Sequence, residues 1–213
     1  MNIIIIRRCS NCCPYCFETG ERDHSQKDLL DLQDARALAA WSVKAGVESI
    51  GILGGEPFLH PNLRGIIDAF RLACPNVPRT VFTGGVVNPG NFDHFEPADF
   101  GLLFNINEVR DYVSLAVADQ VIDNVDRAIS NGFDVTLGFN VWRIDFDTTF
   151  MPRLAYKMGR TGFRWAVANP MWGVETHVVR PDYFKELSQQ CFKMLHEATA
   201  LGLRCTLDCH LPL

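Results

Sequence analysis

Four cysteines fall within eight positions, at Cys9, Cys12, Cys13 and Cys16. Three of them, Cys9, Cys13 and Cys16, keep a C-x3-C-x2-C spacing. Thiolates are soft ligands and hold iron–sulfur clusters. A loop this tight can wrap three thiolates round one face of a cubane [4Fe–4S] cluster. Such clusters normally take four cysteines, so three would leave one iron open for another ligand. Cys12 falls outside the spacing and reads as a bystander thiol.

Two other chemistries use cysteines at these distances. Cys9-x2-Cys12 and Cys13-x2-Cys16 form two C-x2-C pairs, the unit of a structural zinc module. Zinc pairs usually stand well apart, however, and no residue separates these two. Cys13-Pro14-Tyr15-Cys16 is also the tetrapeptide of glutaredoxin-like thiol–disulfide oxidoreductases. In such a site the motif opens an amphipathic helix that lowers the thiol pKa. Here Glu18-Thr19-Gly20-Glu21-Arg22-Asp23 follows, with no apolar stripe.

A second stretch, Gly54-Gly55-Glu56-Pro57, follows an apolar run. On its own it suits a turn, with two glycines free to take positive φ before a proline. The same freedom would let backbone carbonyls and the Glu56 carboxylate approach a cationic group such as an ammonium.

The elements that carry these stretches alternate between strand-length apolar runs and helical patterns. Ile3 to Ile6 reads as a first strand ahead of the cysteine loop. Strands are expected at Val47–Leu53, Thr80–Thr83, Gly101–Ile106, Phe133–Val141 and Phe163–Ala168, and a seventh begins at Leu203–Leu207. Between them, Asp31 precedes a helix with Leu32, Ala35, Ala39 and Val43 on its apolar face and Gly46 at its end. Pro61 suits the first position of a helix striped by Leu63, Ile66, Ile67 and Phe70. Further helices run over Val121–Ile129, Thr148–Gly159 and Pro181–Leu201, the last with Phe184, Leu187, Cys191, Leu195 and Ala198 on one side. This alternation predicts an α/β fold with a parallel sheet. Right-handed crossovers would curl it, and six clear units are too few to close an eightfold barrel. The expectation is an open, partial (β/α)6 TIM-like barrel, with a doubly wound sheet as the alternative. Polar or Gly-rich residues sit at each expected strand end: the cysteine loop, Gly54–Pro57, Thr83-Gly84-Gly85, Asn105 and Asn107, Asn140, and Asn169-Pro170. Parallel α/β folds build their sites at that rim.

The two motifs, in order and on consecutive strands, resemble those of the radical S-adenosylmethionine (radical SAM) enzymes. Cys9, Cys13, Tyr15 and Cys16 match that superfamily's C-x3-C-x-aromatic-C loop, and Gly54 to Pro57 match its Gly-Gly-Glu-Pro segment. The motifs occupy about the first quarter of the chain, although the likeness as a partial barrel extends over all of it. The resemblance implies that the three cysteines hold a [4Fe–4S] cluster and that its open iron takes S-adenosylmethionine. Gly54, Gly55, Glu56 and Pro57 would receive the methionyl ammonium, and Tyr15 would lie beside the adenine. Thr83, Asn105, Asn107 and Asn140 are strand-end candidates for the remaining cofactor contacts, with a turn-forming Asn the alternative reading for each of the asparagines. Arg143 is a candidate partner for the ligand carboxylate. The implied chemistry is reductive cleavage to a 5′-deoxyadenosyl radical, which abstracts hydrogen from a peptide or small-molecule substrate. An electron donor such as flavodoxin or ferredoxin is implied with it.

The 213 residues, 47% apolar and 21% charged, suit one core domain over residues 1–213. A formal net charge of −5, with no Lys/Arg run beyond Arg7-Arg8, argues against nucleic acid or an anionic membrane. No apolar run reaches the length of a membrane span. Eight cysteines without a secretion signal suit the cytoplasm. Alternation over Leu203–Leu207 predicts Cys205 as a core thiol and Cys209 past the strand end. Cys209 would then be a candidate ligand for an auxiliary cluster if the natural protein continues beyond this stretch.

Overall fold

The computed structural model describes residues 1–16, 29–168 and 181–208. Among the described residues, seven strands alternate with five α-helices: β1 (Asn2–Ile4), α1 (Leu32–Lys44), β2 (Ile50–Leu53), α2 (Leu63–Ala73), β3 (Arg79–Thr83), β4 (Gly101–Ile106), α3 (Leu115–Ser130), β5 (Val135–Val141), α4 (Phe150–Lys157), β6 (Gly162–Val167), α5 (Pro181–Ala200) and β7 (Arg204–Leu207). The strands lie in one sheet in chain order, β1 to β7. The predicted α/β class therefore stands, with a seventh strand completed beyond the six expected units.

The residues group into two compact units. The first holds β1 to β3, α1 and α2, β4 up to Phe104 and α3 from Gln120. Its strands pair in parallel, with Ile52 opposite Val81 and Phe82 opposite Leu103. Its core is Ile5, Ile6, Ile50, Ile52, Val81 and Phe104, covered by the α2 stripe Leu63, Ile66, Ile67 and Phe70, all of them buried. The second unit holds the residues from Cys12 to Cys16, the end of β4, and β5 to β7 with α4 and α5. Here Gly138 pairs with Arg164 and Arg164 with Thr206, all in parallel.

Three strand starts fall later than the sequence suggests, for one physical reason. Helix α1 ends with Gly46 at φ +63°. The Gly46 N–H donates to the Val43 carbonyl and the Val47 N–H to that of Ser42. That pair of bonds is a Schellman cap, which satisfies the last helical carbonyls. Val47 is thus the end of a helix motif, and β2 begins at Ile50. Phe133 after Gly132 and Leu203 after Gly202 are used in the same way, donating to Ala128 and Ala198.

Other departures are local. Asp31 caps α1 as expected, its side chain accepting from the Asp34 N–H at 2.8 Å. The buried stripe of α1, however, is Ala35, Ala39 and Ser42, while Val43 is exposed. Pro61 does not open α2, which starts at Leu63. Instead Pro57 opens a short 3-10 turn, Pro57–Leu59, with Glu56 as its N-cap. On α5 Met194 is buried where Leu195 was expected, and Phe184's side chain lies outside the described residues. Cys205 is only half-buried, because β7 is an edge strand among the described residues and Leu207 beside it is 46% exposed. Asn169, Pro170 and Cys209 lie outside the described residues.

Candidate active site

In the first unit the two motifs are joined through the backbone. Past β1 the chain continues beside the end of β2. Ile5 donates to Leu53 at 2.9 Å, Gly55 to the Ile6 carbonyl at 2.6 Å, and Glu56 to the Arg8 carbonyl at 2.8 Å. The approach is close enough that a Cβ on Gly54 would strike the Ile6 backbone, and one on Gly55 the carbonyls of Arg7 and Arg8. Neither glycine has positive φ. Their role is close packing, not a left-handed turn. The segment is thereby laced to the residue just before Cys9.

That lacing sets Glu56. Its side chain is 1% exposed. Both carboxyl oxygens lie 2.9 Å from the Thr83 hydroxyl, which donates to them. The Gly84 N–H donates at 3.0 Å and the Phe58 N–H at 3.2 Å. Thr83, itself buried, is steadied by accepting from the Gly85 N–H at 2.9 Å. The positive φ that the site needs is at Gly85, +73°. These partners are all neutral, so burial dominates and pushes the Glu56 carboxyl up to about 7, against the pull of its donors. The site is an oriented, desolvated acid whose environment disfavours its charge.

The cysteine loop contributes two residues that the motif spacing did not flag. Asn11 is buried, and its side chain packs against Gly84. Its backbone N–H donates to the Cys9 sulfur at 3.4 Å. Ser10 donates its hydroxyl to the Val86 carbonyl. Both carry ordinary turn residue types, so nothing in their spacing marked them out.

In the second unit, Cys13-Pro14-Tyr15-Cys16 forms a turn closed by the Cys16 N–H donating to the Cys13 carbonyl at 3.1 Å. Cys13 and Cys16 are half-buried, as is Cys9 in the first unit, whereas Cys12 is exposed. Tyr15 donates its hydroxyl to Asn107 Oδ1 at 2.6 Å and also bonds Asn140. Asn107 Nδ2 lies 3.4 Å from the Cys13 sulfur. The Asn107 N–H donates to the Tyr112 hydroxyl at 3.0 Å. Burial pushes the Cys13 thiol up, while the bonds from Asn107 and Tyr15 oppose it. Burial likewise raises the phenols of Tyr15 and Tyr112. So Tyr15, Asn107 and Asn140 come together from a loop and two strand ends. Asn105 is half-buried at the end of β4. Arg143 is committed elsewhere, 2.5 Å from Glu108 and 2.8 Å from Asp111, and stacks 4.8 Å from the Trp142 ring. A ligand carboxylate would have to displace those acids.

Among the described residues, no three His, Cys, Asp or Glu side chains converge as they would on a single metal ion. No helix among them is long and apolar enough to cross a membrane.

Known proteins share the family and the fold. The sequence model of the Radical SAM superfamily matches residues 3–147, which include the cysteine loop, Gly54–Pro57 and the strands from β2 to β5. The GTP 3′,8-cyclase of Rhizobium meliloti is 22% identical over 207 residues, 89% of this chain and 56% of that protein. Streptococcus suis SuiB bound to precursor peptide SuiA superposes with a TM-score of 0.73 at 14% identity, covering 98% of this chain and 48% of SuiB. Native anSMEcpe with bound AdoMet gives 0.69 at 11% identity, covering 97% of this chain and 63% of that one. These likenesses establish the fold, an incomplete TIM-type barrel. The chain spans about half the length of the curated relative it matches.

Proposed function

The chain belongs to the radical SAM superfamily, and from that premise we propose that Cys9, Cys13 and Cys16 hold a [4Fe–4S] cluster whose open iron takes S-adenosylmethionine. The protein is then an enzyme that starts radical chemistry on a peptide or small-molecule substrate. When bound, the cluster and S-adenosylmethionine supply a 5′-deoxyadenosyl radical able to abstract hydrogen.

The observation that carries this reading is the backbone bond from Glu56 to Arg8. It ties the buried carboxyl to the residue before the first cysteine. The thiols suit the cluster in kind: they are soft donors at the ligand spacing in the sequence, each half-buried, whereas Cys12 is exposed. Glu56 fits the amino group of S-adenosylmethionine, since its own partners supply no positive charge. Tyr15, Asn107 and Asn140 are the polar groups left to orient the nucleoside. Arg143 acts by holding Glu108 and Asp111. The superfamily match gives no support to the thiol–disulfide or zinc alternatives. For the substrate there are two leads. Several curated relatives are GTP 3′,8-cyclases, and SuiB was solved with a precursor peptide.

Anaerobic reconstitution tests the proposal. It should load about four irons per chain. Replacing Cys9, Cys13 and Cys16 by Ala should abolish loading, and Cys12→Ala should not. The reduced protein should release 5′-deoxyadenosine from S-adenosylmethionine. Stoichiometric zinc with no cluster would contradict the reading, as would glutathione-dependent disulfide reduction in air without any 5′-deoxyadenosine.

A further inference from the structure

Asn107 stands between a candidate cluster ligand and the candidate nucleoside contact. Its Nδ2 lies 3.4 Å from the Cys13 sulfur, and its Oδ1 accepts from the Tyr15 hydroxyl at 2.6 Å. Its backbone N–H donates to the Tyr112 hydroxyl at 3.0 Å, which fixes the residue from behind. Asn107 is 3% exposed, so water does not compete for these bonds.

Chemistry fixes which way the amide points. A thiolate bound to iron is an acceptor only and cannot donate. The amide must then turn its NH2 to the sulfur and its oxygen to Tyr15, as found. The Tyr15 hydroxyl polarises that amide and strengthens its N–H as a donor. Hydrogen bonds to cluster sulfurs are among the groups that set a cluster's reduction potential. A donor favours the reduced, more negative state.

From this geometry we infer that Asn107 is a positioning residue, which through its N–H to the Cys13 sulfur raises the reduction potential of the cluster and links it to Tyr15. The inference rests on the cluster reading above. It assigns one candidate cysteine a side-chain donor, whereas Cys9 accepts from the backbone N–H of Asn11. Tyr15 is thereby coupled to the cluster through the Asn107 amide as well as through its own bond to Cys13. A ligand that drew the Tyr15 hydroxyl away would weaken that donor and shift the potential downward.

The test is the midpoint potential of the reconstituted cluster, followed by electron paramagnetic resonance, in the wild type and three variants. Asn107→Asp keeps the shape, removes the donor and adds a negative charge. It should shift the midpoint furthest to the negative. Asn107→Leu removes the donor alone and should shift it less. Tyr15→Phe leaves the amide in place but unpolarised and also removes the Tyr15–Cys13 bond, so it should shift the midpoint in the same direction. A structural role alone would alter iron content or stability without this order. Midpoints equal to wild type at full iron content would overturn the inference, as would a positive shift in Asn107→Asp. If the Asn107 variants fail to hold iron, Tyr15→Phe still decides the link to Tyr15: a wild-type midpoint overturns it, and a more negative one supports it. A wild-type chain that never forms the cluster overturns the cofactor reading itself.

Discussion

Glu56 and Glu108 are both buried acids beyond strand ends, 1% and 5% exposed, yet their surroundings are opposite. Glu108 lies 2.5 Å from Arg143 and 3.1 Å from Arg110, and it accepts from the Asp147 N–H at 2.5 Å. Asp111 shares Arg143 at 2.8 Å. Glu56 is held by a hydroxyl and two backbone N–H groups, all neutral. A buried charge is tolerated when it is paired and hydrogen-bonded. Glu108 meets both conditions and is a completed structural joint. Glu56 meets only the second. It is aimed and desolvated but not neutralised, which is the arrangement expected of a receptor for a cation.

The largest effect should come from breaking the completed joint. Arg143→Ala strips a cation from two buried acids, and removing one partner of a buried pair costs about 3–5 kcal/mol. Arg110 stays near Glu108, so the lower end is expected, read as a fall in the denaturant midpoint. Arg143→Lys should recover only part, because one ammonium cannot span Glu108 and Asp111 as the guanidinium does. Little loss in Arg143→Ala would erase the contrast between the two sites.

Next is the pH dependence of Glu56. Its carboxyl titrates near 7 when folded, against 4.5 ordinarily. Between those values the folded chain binds a proton that the unfolded chain has released. This contribution to stability is fully present below the unfolded value and is lost as pH rises through the folded one. The loss is about 3 kcal/mol for the ligand-free protein. Glu56→Gln should remove that component, so the variant should gain on the wild type as pH rises from 4.5 to above 7. Parallel stability curves for the two proteins would show that Glu56 carries no such strain.

Gly55→Ala should follow, at about 1–3 kcal/mol, because the new methyl meets the Arg7 and Arg8 carbonyls. The same change at Gly46, which has open space, should act only through its positive φ and so cost less, about 1 kcal/mol. Equal losses at both glycines would mean that close approach is not what Gly55 supplies. Thr83→Val is the smallest, about 1 kcal/mol. It removes the hydroxyl donor and should push the Glu56 carboxyl still higher.

Much of this was legible beforehand, and the gaps have physical causes. Periods of two and 3.6 located the strands and helices, and Gly46 marked a helix end, as Gly132 and Gly202 prove to do. The apolar residue after each glycine looked like the start of a strand. Each instead gives its N–H to the helix behind it, a use that an apolar side chain does not advertise. The cysteine spacing and Gly54–Pro57 stood out because their residue types are unusual at such density. The backbone contact that joins them involves Ile6 and Arg8, whose side chains are irrelevant to it. Asn11, Ser10 and Tyr112 stayed hidden because their roles depend on which strand ends meet. Arg143 illustrates the converse. Its type suits a carboxylate, but only the fold reveals that Glu108 and Asp111 already supply it.

Proton release on binding S-adenosylmethionine tests the central claim most directly. Calorimetry on the reconstituted protein in buffers of different ionisation enthalpy near pH 6 would count the protons released. If Glu56 receives the amino group, binding holds it ionised. The wild type should then release close to one proton more than Glu56→Gln, and the variant should bind about one to two orders of magnitude more weakly with its cluster intact. Equal affinity and equal proton release in the two proteins would contradict the account and reduce Gly54 to Pro57 to a turn.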